Sequence, residues 1–215
     1  MFEERKMSET VRKAYEEAKA GDTISQYNMG CYYYNGDGVP QDYKKAAEWF
    51  EKAAVQGDID AQHYLAVCYD NGYGVRQNYV KAVEWYSRAA NQGYVDAQFN
   101  LGYCYEKGLG VAQSYSKAIE WYLKAANQGD AAAQNNMGHY YYNGYGVTKN
   151  YSKAVEWYLK SANQGHSNAQ YNLGLCYEYG NGVLKNNNLA IEWYQKAANQ
   201  GDIDAKEAVK RLRGY

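Results

Sequence analysis

Apolar and small residues recur along this chain at helical spacing, in two alternating settings. Within residues 96–107, Ala97, Leu101, Gly102 and Tyr105 form a stripe at offsets of three and four, and within residues 114–128, Ala118, Trp121, Tyr122 and Ala125 do the same. These periods predict two helices, the first closed by Gly108 and the second by Gly129, since glycine suits the left-handed turn that ends a helix. Ser114 opens the second helix, and its counterparts Asp42, Asn78, Asn150 and Asn186 are all short polar residues able to satisfy orphan N–H groups. Between the helices runs Gly108-Leu109-Gly110-Val111, whose valine is expected to plug the pair. The tryptophan and the small residues are expected to be hidden between helix layers.

The whole pattern then repeats every 36 residues. Gly21, Gly57, Gly93, Gly129, Gly165 and Gly201 keep that spacing, as do Trp49, Trp85, Trp121, Trp157 and Trp193, with no insertion. Five units follow, 22–57, 58–93, 94–129, 130–165 and 166–201. Residues 1–21 precede them as an N-terminal capping helix, and 202–215 follow as a partial sixth repeat that forms a C-terminal capping helix. Glu48/Lys52, Glu84/Arg88, Glu120/Lys124, Glu156/Lys160 and Glu192/Lys196 stand four apart in the favourable order and read as a solvated face.

The recurring pattern A-Q-x-x-L-G-x-x-Y, then G-x-G-V, then Y-x-K-A-x-E-W-Y-x-K-A-A-x-Q-G resembles the Sel1-like repeat, a relative of the tetratricopeptide repeat, over residues 22–201. The resemblance implies an all-α fold, a right-handed α/α superhelical solenoid of five helix-turn-helix repeats whose first helices line a concave face. It also implies scaffold or adaptor work. Departures are Ala66 for the first-helix glycine, Asn187 for the aromatic of Tyr43, Tyr79, Tyr115 and Tyr151, and Leu189 for the lysine. Some relatives carry two cysteines per unit that staple the helix pair. Here Cys68, Cys104 and Cys176 share one repeat position, so no bridge within a unit can form, and buried thiols are expected, with a Cys68–Cys104 bridge as the alternative.

Composition narrows the function. Lys+Arg number 23 against 24 Asp+Glu, so the formal net charge is -1 and nothing draws the chain globally toward nucleic acid or an acidic membrane. No apolar run is long enough to span a bilayer, and Met1-Phe2-Glu3-Glu4-Arg5-Lys6 is not followed by a signal-peptide core. A cytoplasmic monomer is expected, secreted or periplasmic if a leader has been removed. His63, His139 and His166 fall at different repeat positions, so neither a metal site nor a cofactor is expected.

Comparing the five copies separates constant packing positions from variable ones. On the first helices the variable stripes read Tyr27, His63, Phe99, Asn135, Tyr171; then Cys31, Val67, Tyr103, His139, Leu175; then Tyr34, Asp70, Glu106, Tyr142, Glu178. Tyrosine gives large, rigid contact area at low entropic cost, which suits recognition, although the same rings would also fill a tight inner curve. Asn28, Asn100, Asn136 and Asn172 recur beside them, interrupted by Tyr64. Such amides either hold the backbone of an extended peptide or tie each helix to the next. The candidate peptide- or protein-binding set is therefore Tyr27, Asn28, His63, Tyr64, Phe99, Asn100, Tyr103, Asn135, Asn136, His139, Tyr142, Tyr171 and Asn172.

Two motifs imitate catalytic chemistry. Ser114-Tyr115-Ser116-Lys117 matches S-x-x-K of penicillin-recognising serine enzymes, but its counterparts place Asp42, Asn78 and Asn150 at the serine, which marks a capping slot. G-x-G-V lacks the third glycine and the preceding strand of a phosphate loop. Lys206, Lys210, Arg211 and Arg213 give the terminal helix a polar outer face, expected to be a solubilising cap. The reading is a non-enzymatic protein-interaction scaffold. A β-lactam or cell-wall ligand protein, and a purely structural or engineered array, remain the alternatives.

Overall fold

The computed structural model describes residues 7–214, which form twelve helices and no strand. Helix α1 (Glu9–Lys19) leads. Helices α2 (Thr23–Asn35) and α3 (Tyr43–Val55), α4 (Ile59–Asn71) and α5 (Tyr79–Asn91), and α6 (Val95–Lys107) and α7 (Tyr115–Asn127) belong to the first three repeats. Helices α8 (Ala131–Asn143) and α9 (Tyr151–Asn163), then α10 (Ser167–Tyr179) and α11 (Asn187–Asn199), belong to the last two, and α12 (Ile203–Arg213) closes the chain. The fold is the all-α helical-repeat solenoid class. Residues 1–6 of the expected leading cap, and residue 215, lie outside the described residues. The chain divides into two compact units, Met1–Gln113 and Ser114–Tyr215. In the first, α2 packs on α3 and α4 on α5; in the second, α8 packs on α9 and α10 on α11.

Local chemistry sets the helix ends. The side chains of Asp42, Asn78, Ser114, Asn150 and Asn186 each accept from the backbone N–H three residues on, at 2.9–3.4 Å, as the capping slot predicts. Asp22, Asp58, Asp130 and Asp202 cap first helices the same way, at 2.6–2.8 Å. Tyr94 and His166 occupy that slot without a side-chain cap bond. The second glycine of each G-x-G serves close packing. At Gly74 (φ +70°) and Gly182 (φ +76°) an added Cβ would strike the backbone of Tyr43 and Tyr151, so each loop rests on the start of the preceding repeat's second helix.

The core differs from expectation in one respect. The fully buried ring of each second helix is the residue after tryptophan: Phe50, Tyr86, Tyr122, Tyr158 and Tyr194 are all at most 2% exposed. In α2, α8 and α10, Gly30, Gly138 and Gly174 leave room for that ring. Trp49 is buried, but Trp85, Trp121, Trp157 and Trp193 are half-buried. Trp85 and Trp193 pack against core clusters that combine the preceding repeat with the first helix of their own, so they sit at joints between repeats. A cation three residues on covers the open face, with Lys52, Arg88, Lys124, Lys160 and Lys196 lying 3.7–4.4 Å from the indole centroids. Those cations are thus drawn to the ring and not to the glutamate four residues before.

Glutamines stitch repeat to repeat. Gln62 is buried, its Nε2 donating to the Ala54 carbonyl at 3.2 Å while its Oε1 accepts from Gln92 Nε2 at 2.8 Å. Gln26 with Gln56, Gln134 with Gln164 and Gln170 with Gln200 repeat the arrangement. Cys68, Cys104 and Cys176 are buried free thiols, each pushed up to a pKa of about 12 by burial. Among the described residues no helix is long and apolar enough to cross a membrane, and no cluster of three ionisable ligands could hold a metal.

Candidate binding face of the first helices

In the first unit the face is built from α2, α4 and α6. Tyr27 and Tyr64 are half-buried, their centroids 6.0 Å apart, and Tyr64 stacks on the buried Phe50 at 5.2 Å. Tyr34 continues the cluster, 5.9 Å from Tyr64 and 5.2 Å from Tyr43. Burial pushes the Tyr27 hydroxyl above the normal phenol range, so it stays a neutral donor. Asn28, Phe99 and Asn100 are half-buried alongside, and Tyr103 is 43% exposed with Lys107 Nζ 5.7 Å from its ring. No hydrogen bond within the described residues engages the amides of Asn28 or Asn100.

His63 is not on that surface, being only 8% exposed. Its ring packs among Tyr64, Tyr86 and Tyr94 at 5.5, 5.8 and 4.9 Å, and its Nδ1 has no hydrogen-bond partner. Burial lowers its pKa below 6.5, against the opposing pull of Asp96 and Asp60, so the imidazole is neutral at pH 7.

The second unit uses its corresponding residues differently. Asn172 Nδ2 donates to Asn135 Oδ1 at 3.1 Å, tying α10 to α8, so here the amide row joins helices. Tyr142 packs 4.9 Å from Tyr151, and its hydroxyl accepts from Asn181 Nδ2 at 2.8 Å. Tyr171 lies 5.4 Å from the buried Tyr194 and lines a concavity of about 400 Å³ with Asp204, Glu207, Ala208 and Arg211. Asn136 is half-buried, and His139 is exposed, 5.7 Å from Tyr145.

The third variable stripe points at the second-helix rings instead of outward. Tyr86 donates to Asp70 at 3.2 Å, and Tyr194 donates to Glu178 at 2.8 Å. Ser114 of the S-x-x-K match accepts from Lys117 N–H and lies 3.1 Å from Ser116 Oγ, which makes it a helix cap. Three residues of the first-unit face were not singled out from sequence: Asp60, Asp96 and Tyr94. The signal was present, because Tyr94 stands where Asp22, Asp58, Asp130 and Asp202 cap their helices.

A family model for the Sel1 repeat matches residues 23–58, 59–94, 95–130, 131–166 and 167–202, each one residue later than the glycine spacing suggests. A protective antigen of uropathogenic Escherichia coli strains, displaying an SLR fold, is 37% identical with a TM-score of 0.90 over 93% of this chain; this chain covers 43% of that one. A Sel1 repeat protein from Oxalobacter formigenes is 32% identical with a TM-score of 0.83, covering 94% of this chain and 87% of its own. A putative sel1 repeat protein from Klebsiella pneumoniae is 25% identical with a TM-score of 0.55, covering 94% and 99%. No curated protein matches the chain.

Proposed function

Because the chain belongs to the Sel1 repeat family, whose members generally mediate protein–protein interaction and are scaffolds rather than enzymes, we propose that it is a non-enzymatic adaptor. The adaptor holds an extended segment of a partner protein along α2, α4 and α6. The observation that supports this reading is the character of that face. Tyr27, Tyr64 and Phe99 stand half-buried beside Asn28 and Asn100, whose amides are unpaired, while the second helices show water their Lys and Glu side chains. Rings held rigid by packing lose little entropy when a partner covers them, and an asparagine amide can donate to and accept from a peptide backbone at once.

Affinity capture from the source organism tests the reading, comparing the native chain with a Phe99→Ala/Tyr103→Ala variant of unchanged helical circular dichroism. The variant is expected to lose a protein that the native chain retains. Retention of every captured protein by the folded variant would remove this face from consideration.

A further inference from the structure

Charge on the first helices is one-sided. From α2 to α10 they carry Asp60, Asp70, Asp96, Glu106 and Glu178 against Lys107 alone, whereas α3, α5, α7 and α9 each carry one more Lys or Arg than Glu. The near-neutral whole hides this separation. In the first unit, Asp70 is occupied by the Tyr86 hydroxyl and Glu106 by Lys107 at 2.6 Å. Among the described residues Asp60 and Asp96 form no ion pair, and they stand at the same slot of successive repeats. The slot holds Ile24, Ala132 and Asn168 elsewhere between α2 and α10, so helix formation does not require an acid there.

Tyr94 makes the pairing more than an acidic cluster. It replaces the aspartate that caps other first helices and makes no cap bond, which forgoes the stabilisation that a short polar side chain gives a helix at that position. Its ring instead lies 4.9 Å from His63, and its hydroxyl is drawn toward Asp60. His166 leaves the same slot uncapped, so what sets Tyr94 apart is the place its ring and hydroxyl take beside His63 and Asp60. Beneath it, His63 is buried with an unpartnered Nδ1 and touches both Tyr64 and Tyr94. The carboxyl groups facing His63, Tyr64 and Tyr94 are those of Asp60 and Asp96, with the Cys31 thiol also beside Tyr64.

We infer that Asp60, Asp96 and the rings of Tyr64 and Tyr94 form a subsite for a lysine or arginine side chain of the docked segment. Aromatic faces and carboxylates both attract a cation, and partial desolvation by the rings strengthens the attraction over that of an open surface pair. The inference rests on the docking face proposed above and gives its partner a basic residue at one point.

The test uses the full chain, 15N-labelled, titrated with the blocked peptide (Gly-Lys)4 and with (Gly-Glu)4 at low and physiological salt. The lysine peptide is expected to shift the amides of Asp60, Tyr64, Tyr94 and Asp96, to weaken with salt, and to bind at least fivefold less well to Asp60→Asn/Asp96→Asn. Asparagine is isosteric, and unchanged melting of that variant would confirm its fold; if it melts early, Tyr94→Asn, which offers a cap and removes the ring without adding charge, replaces it and is expected to bind the lysine peptide at least fivefold less well. Equal binding of both peptides, or equal lysine-peptide affinity in the folded variant, overturns the inference. Capture with Phe99→Ala/Tyr103→Ala reads the docking face separately. A partner lost there but held by Asp60→Asn/Asp96→Asn removes this subsite alone.

Discussion

The two terminal guanidinium nitrogens of Arg211 donate to the two carboxylate oxygens of Glu178, at 2.6 and 2.9 Å, fastening α12 to α10. Tyr194 donates to the same carboxylate, so an acid only 4% exposed is satisfied from two helices. The basic tail was expected to be a solubilising cap, and Lys206, Lys210 and Arg213 are indeed exposed, but Arg211 is an anchor.

Arg211→Ala should therefore destabilise the second unit. Because the arginine side chain is itself 55% exposed, the loss is expected at about 1–2 kcal/mol, below that of a sealed pair. Urea denaturation followed by far-UV circular dichroism measures it. A loss no larger than that of Arg213→Ala would show the clamp to be idle.

The same clamp gives an acid dependence. Hydrogen bonds from Arg211, the largest influence, hold the Glu178 carboxyl below its ordinary 4.5. On acidification the unfolded chain takes the proton first, so the stabilisation is complete above pH 4.5 and fades as pH falls through the lower native value. Glu178→Gln should start less stable at neutral pH and lose less on going from pH 5 to pH 3. Parallel melting-temperature curves for the two proteins would contradict this.

Tyr86→Ala should cost more than Trp85→Ala although tryptophan is the larger residue. Tyr86 is 1% exposed and donates to Asp70, so its removal is expected to cost about 3–5 kcal/mol. Trp85 seals a joint with one face under Arg88, and about 1–3 kcal/mol is expected there. Chemical denaturation of both variants decides the order.

That inversion shows what the sequence could reveal. Caps such as Asn78 and helix-closing glycines such as Gly72 act locally, so their spacing announced them. Trp85 and Tyr86 are adjacent on one helix, about 100° apart, and both fall within an apolar stripe. Which one meets its own partner helix and which the neighbouring repeat depends on how repeats stack. Gln62 recurs in every copy, yet a polar residue at helical spacing gives no sign that it is buried. The Asp60–Asp96–Tyr94 grouping joins residues from successive repeats and became visible only once α4 lay beside α6.

Gln62→Ala should be the costly member of its pair. It strands the Ala54 carbonyl and removes the acceptor of Gln92, with an expected loss of about 1–3 kcal/mol for buried groups left unpaired. Gln92→Ala acts on an exposed residue and removes one donor from the Gln62 Oε1 while leaving the bond to Ala54 in place, so a smaller loss of about 1 kcal/mol is expected. Equal losses would mean that the amide chain adds nothing beyond packing.

Gly74→Ala and Gly57→Ala separate backbone strain from collision. Both glycines have positive φ, +70° and +100°, so alanine is strained at either, by about 1–3 kcal/mol. Around Gly57 nothing lies within 4 Å, and strain is the whole effect. At Gly74 the new methyl would also strike the Tyr43 backbone, where α3 begins and nothing flexible can yield. Gly74→Ala is therefore expected to lose about 3 kcal/mol or more, adding the cost of overpacking to that of strain. Amide exchange should quicken first at the joint between the first and second repeats, since the G-x-G loop seats one repeat on the other. Similar stability losses for the two variants would mean that the loop can lift away from α3, and the close approach would then not be what requires glycine.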